Sequence, residues 1–394
     1  MEILISGAGI AGPTLAWWLL QNGHRVTIVE KAPALRASGY IIDFWGKGYD
    51  LAERMGLMPQ LEPVGYHVKE VRFVGGDGRR LGGFDVDVLN RTTHGRLLSL
   101  PRGELARVLF QAVEPRIEAL FGDQIAAIAA IETDGDRHHV RFASGQERHF
   151  DLIVGAEGIH SRTRELVFGP EERFERFLGY NFAAFTIDGY SRRDPDVYLM
   201  YGEPGRQAGR FTLNGGSSLV LLIWRETEAT AIPHDEAGKK ALIRERFAGA
   251  GWELADFLDG LDAASDLYLD RVSQIRMQPW HKGSIALVGD AAFAPSFLAG
   301  QGSALAMIGG YVLAGELKRS GGDIPAALAA YERRLFDFML TKQDAAIGMA
   351  PSFVPKSSFG LRVRAIAAQW LGIGWFADLV IGRSMRDQIE LPDY

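Results

Sequence analysis

The sequence contains no cysteine in its 394 residues. This absence excludes disulfide frameworks, Cys-ligated zinc, iron–sulfur clusters and thiol nucleophiles. It is compatible with a reducing cytoplasm, where we expect the protein. Basic residues are not in excess either, since the formal net charge is −6, and we expect no nucleic-acid partner. The length predicts two or three domains.

Long apolar runs are missing as well. No stretch of about 18 residues, the length that a membrane-spanning helix needs, is apolar and free of charge. The nearest candidate, residues 361–381, contains Arg362, Arg364 and Asp378. The N-terminus also lacks the basic segment of a signal peptide. We therefore expect no stable membrane insertion, and a monomer or homodimer.

The first motif is the glycine-rich run GAGIAG at residues 7–12. A short apolar strand precedes it, a helix over residues 10–21 follows, and the next strand ends at Glu30. This order predicts a βαβ unit whose turn binds a dinucleotide, because glycines let the backbone approach a pyrophosphate at the positive end of the helix. The carboxylate of Glu30 can accept from ribose hydroxyls and disfavours a 2′-phosphate, so we expect the ADP part of NAD or FAD.

A second glycine-rich turn follows the apolar strand at residues 285–288, in LVGDAAFAPSFLAGQG. The carboxylate of Asp290 can bind sugar or ribityl hydroxyls. Gly300 and Gly302 can expose N–H groups to an anion or a ring carbonyl at a helix N-terminus. The stretch therefore indicates another part of a cofactor site.

A third strand ends in the same way, in DLIVGAEGIHSRTR at residues 151–164. The run of glycine, carboxylate and glycine is hard to explain without a ligand. Arg162 and Arg164, each taken alone, are expected to be solvated cations on a helix surface.

Together these three strand ends resemble the single-component flavoprotein monooxygenases with the p-hydroxybenzoate hydroxylase fold, and within them the tetracycline-inactivating branch. The resemblance runs from residue 1 to about residue 320. It extends to SLPRGELARVL, which carries an FAD-contacting arginine, and to LRASGYIIDFW, which carries an arginine near the nicotinamide and an aspartate near the flavin. The resemblance implies a set of cofactor-binding residues: Gly7, Gly9, Ala11, Gly12, Glu30, Lys31, Arg36, Asp43, Arg102, Glu157, Gly158, Asp290, Gly300, Gln301 and Gly302.

The fold implied by this resemblance is α/β. It combines a Rossmann-like FAD-binding domain (GR2-type), an inserted β-sheet substrate domain and a C-terminal bridging helix. We assign residues 1–66, 101–175 and 270–345 to the FAD-binding domain and residues 67–100 and 176–269 to the β-rich substrate domain. Residues 346–394 form the C-terminal helical segment.

The activity implied by the resemblance is that of an enzyme using NADPH or NADH and O2. It would form a flavin C4a-hydroperoxide and hydroxylate an aromatic or polycyclic, polyketide-like small molecule. Because the flavin carries this chemistry, no protein nucleophile or metal site is needed. Aromatic residues are frequent in the predicted strands of the substrate domain, and the candidate substrate contacts are Phe182, Tyr201, Phe211, Trp224 and Arg210.

Two positions depart from the family pattern. Glu157 stands where an aspartate is usual, and Phe293 stands where a histidine is usual. Two other functions therefore stay open: an FAD-binding reductase of a prenyl or alkene substrate, and a catalytically silent flavoprotein that binds a small ligand. A flavin-dependent halogenase is disfavoured because its WxWxIP stretch is absent.

Overall fold

A computed structural model describes residues 1–35, 39–130, 137–190, 194–370 and 389–394 of the chain. Its strands are β1 (Glu2–Ser6), β2 (Arg25–Glu30), β3 (Ile41–Trp45), β4 (Glu70–Val74), β5 (Arg80–Asp85), β6 (Leu97–Pro101), β7 (Glu118–Phe121), β8 (Ile125–Ala130), β9 (His138–Phe142), β10 (Glu147–Phe150), β11 (Leu152–Gly155), β12 (Glu175–Ile187), β13 (Val197–Glu203), β14 (Arg206–Thr212), β15 (Ser218–Arg225), β16 (Tyr268–Ile275), β17 (His281–Lys282) and β18 (Ile285–Leu287). Its helices are α1 (Ala11–Gln21), α2 (Gly46–Arg54), α3 (Met58–Leu61), α4 (Asp87–Thr92), α5 (Arg102–Gln111), α6 (Arg162–Phe168), α7 (Glu236–Phe247), α8 (Leu254–Gly260), α9 (Asp290–Phe293), α10 (Gly302–Arg319), α11 (Ile324–Phe353) and α12 (Ser358–Trp370).

The predicted dinucleotide-binding half is built on a six-stranded sheet of order β17-β18-β11-β1-β2-β7. The strands from β18 to β7 pair in parallel, and the edge strand β17 pairs antiparallel. The central strands are apolar on both faces because both faces are covered. Ile3 and Ile5 pack towards helices α1 and α10, whereas Leu4 packs towards the three-stranded sheet β10-β9-β8.

A second, seven-stranded sheet has the order β16-β12-β15-β14-β13-β4-β5 and is mainly antiparallel. Side chains alternate between its two faces. One face, with Phe185 and Leu222, packs on helices α7 and α8. The other face carries Phe182, which packs on Leu298 of the six-stranded half. The α/β class and the inserted β-sheet are confirmed.

Two strands lie elsewhere than the expected boundaries suggest. Strand β6, which is expected in the substrate domain, pairs antiparallel with β3 and not with the seven-stranded sheet. Strand β16 belongs to the seven-stranded sheet and runs through the expected boundary at residue 270. The β3–β6 ladder thus lies between the two sheets, where it brings Asp43 opposite Ser99.

The C-terminal segment contacts both halves in the part that is described. Helix α12 packs on β5 and β13, where a Cβ atom at Gly82 would overlap Ala365. The chain end returns to α10, where the Tyr394 hydroxyl donates to Glu316 at 2.6 Å and the Tyr311 hydroxyl donates to the Pro392 carbonyl at 2.6 Å. Residues 371–388 of the expected bridging segment lie outside the described residues. No helix of the described ranges is long and apolar enough to cross a membrane.

Candidate cofactor and active site

The glycines of the first motif serve different purposes. Gly7 has φ +112°, and a Cβ atom there would lie 2.5 Å from the Ala156 carbonyl oxygen. A Cβ atom at Gly12 would overlap the Gly7 carbonyl oxygen. Gly9, in contrast, has no heavy atom within 4 Å of a Cβ built on it. Two of the glycines therefore close the turn, and Gly9 leaves its backbone open to a ligand.

Glu30 lies beside this turn, at the end of β2. Its two carboxylate oxygens accept from the backbone N–H groups of Ala8 and Ala32, each at 2.9 Å. These bonds orient the carboxylate, and each oxygen keeps a lone pair that can accept from a ribose hydroxyl. Lys31 follows it and is exposed, while Ala11 is buried at the start of α1.

In chain order, the second motif is the run at residues 151–164 and the third motif is the run at residues 287–302. The third motif brings a carboxylate to the start of a long helix. Asp290 follows Gly289, whose φ is +65°, and its Oδ1 lies 3.9 Å from a Cβ built on Gly302, the first residue of α10. Burial raises the pKa of Asp290, while the positive charge of Arg102 opposes that rise. Nowhere in the described ranges does a donor bond to this carboxylate. It is thus a half-buried acceptor, without a donor among the described residues, at the positive end of a helix.

Two further polar atoms of this motif lack partners. The Ser296 hydroxyl and the Gln301 amide nitrogen are buried, and neither has a hydrogen-bond partner within the described chain. Buried polar atoms are nearly always satisfied in native proteins. Since Ser296 also has φ +89°, an unfavourable conformation for a non-glycine residue, its position is held by the surrounding turn. These atoms suit the polar edge of a flavin, so the residues present fit FAD.

Arg102 and Asp43 lie at the junction of the two sheets. The Arg102 backbone N–H donates to the Tyr40 carbonyl at 3.0 Å, and its charge acts on Tyr40 and Asp290. Asp43 accepts from the Ser99 hydroxyl, and burial raises its pKa. Arg36 lies outside the described residues. The structure thus brings Arg102, Asp43 and Asp290 to the same region.

Glu157 has a different place from the one expected. Its carboxylate accepts from the Ser6 hydroxyl at 2.6 Å, from the Ser161 hydroxyl, and from the Thr163 N–H and hydroxyl at 3.0 and 2.9 Å. Four protein donors occupy it, so we correct its assignment from cofactor contact to a support that ties β1 to the start of α6. Gly158 beside it has φ +82° and open space around its Cα.

Arg164 is not the solvated cation that the sequence indicates. Its side chain is fully buried and pairs with Glu171 at 2.7 Å. It also donates to the carbonyls of Ile159 at 2.6 Å and Ala291 at 3.1 Å. Arg164 therefore clamps the second motif to the third. Local sequence carries no signal for this, because an arginine in the first turn of a helix is usually solvated.

The second motif also holds the second sheet. The ring nitrogens of His160 bond to Asp270 at 3.0 Å and to Glu171 at 2.9 Å. These two carboxylates raise the pKa of His160 to about 10. Asp270 belongs to β16 and also accepts from the Tyr268 hydroxyl at 2.9 Å. The histidine is therefore a charged link between the two halves.

The predicted substrate residues divide between the two faces of the seven-stranded sheet. Phe182 and Phe211 face the six-stranded half, where Phe182 stacks on Phe297 with ring centroids 4.4 Å apart. Tyr201 and Trp224 pack in the core beneath α7 and α8. Arg210 lies on that same far face, paired with Glu253 at 2.9 Å. We correct the assignment of these last three residues, because strand alternation turns them away from the flavin side.

A ring cluster lies between the third motif and the sheet. It consists of Tyr40, Phe182, Tyr268 and Phe297, with neighbouring centroids 4.4 to 5.9 Å apart. Phe297 and Tyr40 come from the six-stranded half and the other two from the sheet. Sequence reasoning singled out neither Tyr40 nor Tyr268, because each meets the other rings only through the tertiary fold. The cluster forms an apolar wall beside the unpartnered atoms of Ser296 and Gln301.

Fold and site together define a flavoprotein, and comparison with known proteins agrees. The FAD binding domain family matches residues 1–334, so the chain belongs to this family. The chain is 36% identical over 372 residues to the uncharacterized protein Rv1260 of Mycobacterium tuberculosis, covering 92% of this chain and 98% of that protein. It is 33% identical over 360 residues to a flavin-dependent monooxygenase of an unknown prokaryotic organism, covering 90% of each.

Among solved structures, the tetracycline destructase Tet(51) superposes with a TM-score of 0.85 at 27% identity, covering 100% of this chain and 99% of that chain. These similarities make the protein an FAD-dependent oxidoreductase of the monooxygenase class.

Proposed function

We propose that this monooxygenase uses NADPH or NADH and O2 to hydroxylate an aromatic or polycyclic small molecule. The observation that carries the proposal is the third motif, where the buried Ser296 hydroxyl and Gln301 amide nitrogen have no partner in the described chain and lie near the half-buried carboxylate of Asp290. A bound flavin would satisfy them. The ring cluster beside them would give a planar substrate an apolar wall.

In this proposal FAD is held by residues of the first and third motifs. Gly9 leaves room for the pyrophosphate, Glu30 accepts from the adenosine ribose, and Asp290 accepts from the ribityl or ribose hydroxyls. Bound FAD, once reduced by the nicotinamide, supplies the activation of O2 and the oxygen atom that reaches the substrate. The protein's own task is to bind, orient and exclude water.

Two titratable groups face the space between the sheets and could hold a proton there. Burial raises the pKa of Asp43, and burial together with the charge of Asp43 raises the pKa of Tyr198 well above its usual value. Tyr198 lies 4.6 Å, centroid to centroid, from Phe211 on the flavin side of the sheet. We therefore assign Asp43 and Tyr198 as the groups that would exchange a proton with a phenolic substrate.

The substrate class is supported by the ring cluster and by the similarity to Tet(51), whose name states an activity on tetracycline. The apolar wall that the ring cluster forms suits a fused-ring molecule better than a flexible chain, because stacked rings contact a planar ligand over its whole face. The nicotinamide would bind only transiently.

The experiment that tests this function is a redox cycle in one cuvette. Purified protein loaded with FAD is reduced anaerobically by NADPH or NADH in the presence of a polycyclic phenol panel, and then exposed to 18O2. We expect flavin bleaching, its return with oxygen, and one 18O atom in the product. Reduction of an alkene without 18O would favour the reductase. A flavin that neither nicotinamide reduces would favour the silent binding protein.

A further inference from the structure

Arg364 lies on the face of α12 that packs against the seven-stranded sheet. Its Nη1 donates to the Gln207 side-chain oxygen and to the Phe353 carbonyl, the latter at 2.6 Å. Its guanidinium carbon lies 4.6 Å from the centre of the Phe73 ring. All of these neighbours are neutral, so Nη1 and the flat face of the guanidinium are satisfied without a counter-ion.

No carboxylate lies within salt-bridge distance of Arg364 in the described part of the chain. Its Nε is buried without a hydrogen-bond partner there, and Nη2 makes no hydrogen bond to any described residue. Burial lowers the pKa of Arg364 to about 10, with no acidic neighbour to oppose that change. By contrast, the buried guanidinium groups of Arg164 and Arg210 each pair with a glutamate. Arg364 is thus a desolvated cation that lacks an anion.

The place of Arg364 connects it to the proposed active site. Gln207 is on the same face of the sheet as Phe211, because the two are four residues apart on β14. Phe353, whose carbonyl accepts from Arg364, packs in the cluster that contains Tyr40, Phe182 and Phe297. The guanidinium therefore faces the region that we propose for the substrate.

The free donors have the geometry of a fork. Nε and Nη2 lie on one side of a planar guanidinium and can donate two parallel hydrogen bonds to two oxygens of one ligand group. Gly202 leaves room for Nη2, since a Cβ atom there would lie 2.9 Å from it. A single carboxylate, or the two oxygens of a deprotonated conjugated enol, fits such a fork.

We propose that Arg364 binds a planar oxyanion of the substrate through Nε and Nη2, and so selects acidic polycyclic molecules over neutral ones. The proposal rests on the proposed function, because it takes the space between the two sheets as the substrate site. It adds that the substrate supplies the counter-ion that Arg364 lacks among the described residues. Uncompensated burial of a charge is costly, and a bound oxyanion removes that cost.

The test uses FAD-loaded protein and equilibrium binding, with no turnover. The probes are two pairs: 3-hydroxy-2-naphthoate against its carboxamide, and 3-acetyl-4-hydroxycoumarin, whose enolate has two oxygens on one side, against its 4-methyl ether. Arg364→Gln is compared with Arg362→Gln, the neighbouring arginine on the exposed side of the same helix. We expect Arg364→Gln to weaken the acidic probes about ten- to a hundredfold, as for charge-assisted hydrogen bonds, and the neutral probes little.

Arg362→Gln should leave all four affinities unchanged, and Arg364→Lys should be intermediate because it keeps the charge and loses the fork. A preference for the carboxylate pair or for the enol pair tells which oxyanion is bound. Equal weakening of acidic and neutral probes would show that Arg364 only anchors α12 and would overturn the proposal. Equal affinity of the wild type for acidic and neutral probes, including no binding of either, would also overturn it. The redox cycle with 18O2 is measured separately, so the failure of one proposal does not hide that of the other.

Discussion

Replacing Glu157 by Gln would test whether this carboxylate supports the first and second motifs as the structure indicates. The substitution keeps the shape and removes the charge. If the amide oxygen takes the place that faces the Thr163 N–H, the hydroxyls of Ser6 and Thr163 can rotate to accept from the amide. Four hydrogen bonds then survive but lose their charge assistance. If each of the four bonds is weakened by roughly 0.5 to 1 kcal/mol, the variant is less stable by about 3 kcal/mol.

The assay is thermal unfolding of the protein without FAD, followed by fluorescence, together with FAD titration. We expect a Tm about 4 °C lower, and weaker FAD binding because Ser6 adjoins the glycine-rich turn. Glu165→Gln is the matched control on helix α6, whose start Glu157 supports, since Glu165 pairs with Arg162 at the surface and contributes about 0.5 kcal/mol. A Glu157→Gln variant as stable as this control would refute the reasoning.

Three further predictions concern the same region. Gly9→Ala should fold with an unchanged Tm but bind FAD at least tenfold more weakly, whereas Gly12→Ala should fail to fold, because only the new Cβ at residue 12 meets backbone atoms. Differential scanning fluorimetry and FAD titration separate the two variants, and equal behaviour would contradict the assignment. Asp290→Asn should raise the Tm of the FAD-free protein at pH 7 by removing a buried charge, while weakening FAD binding about tenfold. Because the folded-state pKa of Asp290 is raised, that stability gain should shrink as the pH falls and the wild-type carboxyl takes up its proton; a gain independent of pH would contradict the assignment. His160→Gln should lower stability by about 1 kcal/mol at pH 6. The pKa of His160 is raised to about 10 in the folded state, so its contribution to stability is complete below about pH 6.5 and is lost as the pH rises towards 10. In a pH series of Tm values, wild type and variant should therefore converge towards pH 10, and a constant difference would contradict this prediction.

The local motifs were predictable because each depends on short-range geometry. The strand at Glu2–Ser6, the glycine turn and the carboxylate of Glu30 lie within 30 residues, and their order alone predicts a parallel βαβ unit. The same holds for the strand, aspartate and glycines from Ile285 to Gly302. In both cases the backbone conformation needed at the turn restricts the residue type, so the residue type indicates the turn.

The position of a side chain relative to distant elements could not be predicted in this way. Strand alternation predicts that the side chains of Phe211 and Arg210 point to opposite faces of their sheet, but it does not predict which face packs against the six-stranded half. The sequence predicts a ligand contact at Glu157 and a solvated cation at Arg164. Both predictions are wrong because the partners of these residues, such as Ser6 and Ala291, come from distant segments.

The sequence by itself thus determined the nucleotide-binding architecture and the cofactor class, because these follow from glycines and carboxylates at strand ends. Only the tertiary structure decided which polar groups remain unsatisfied. Among the described residues, the polar atoms of Ser296 and Gln301 and the guanidinium of Arg364 lack partners because segments far apart in the chain desolvate these groups without supplying any. The carboxylate of Asp290 is desolvated in the same way. Desolvation is a property of the packed whole, and no local pattern of residues encodes it.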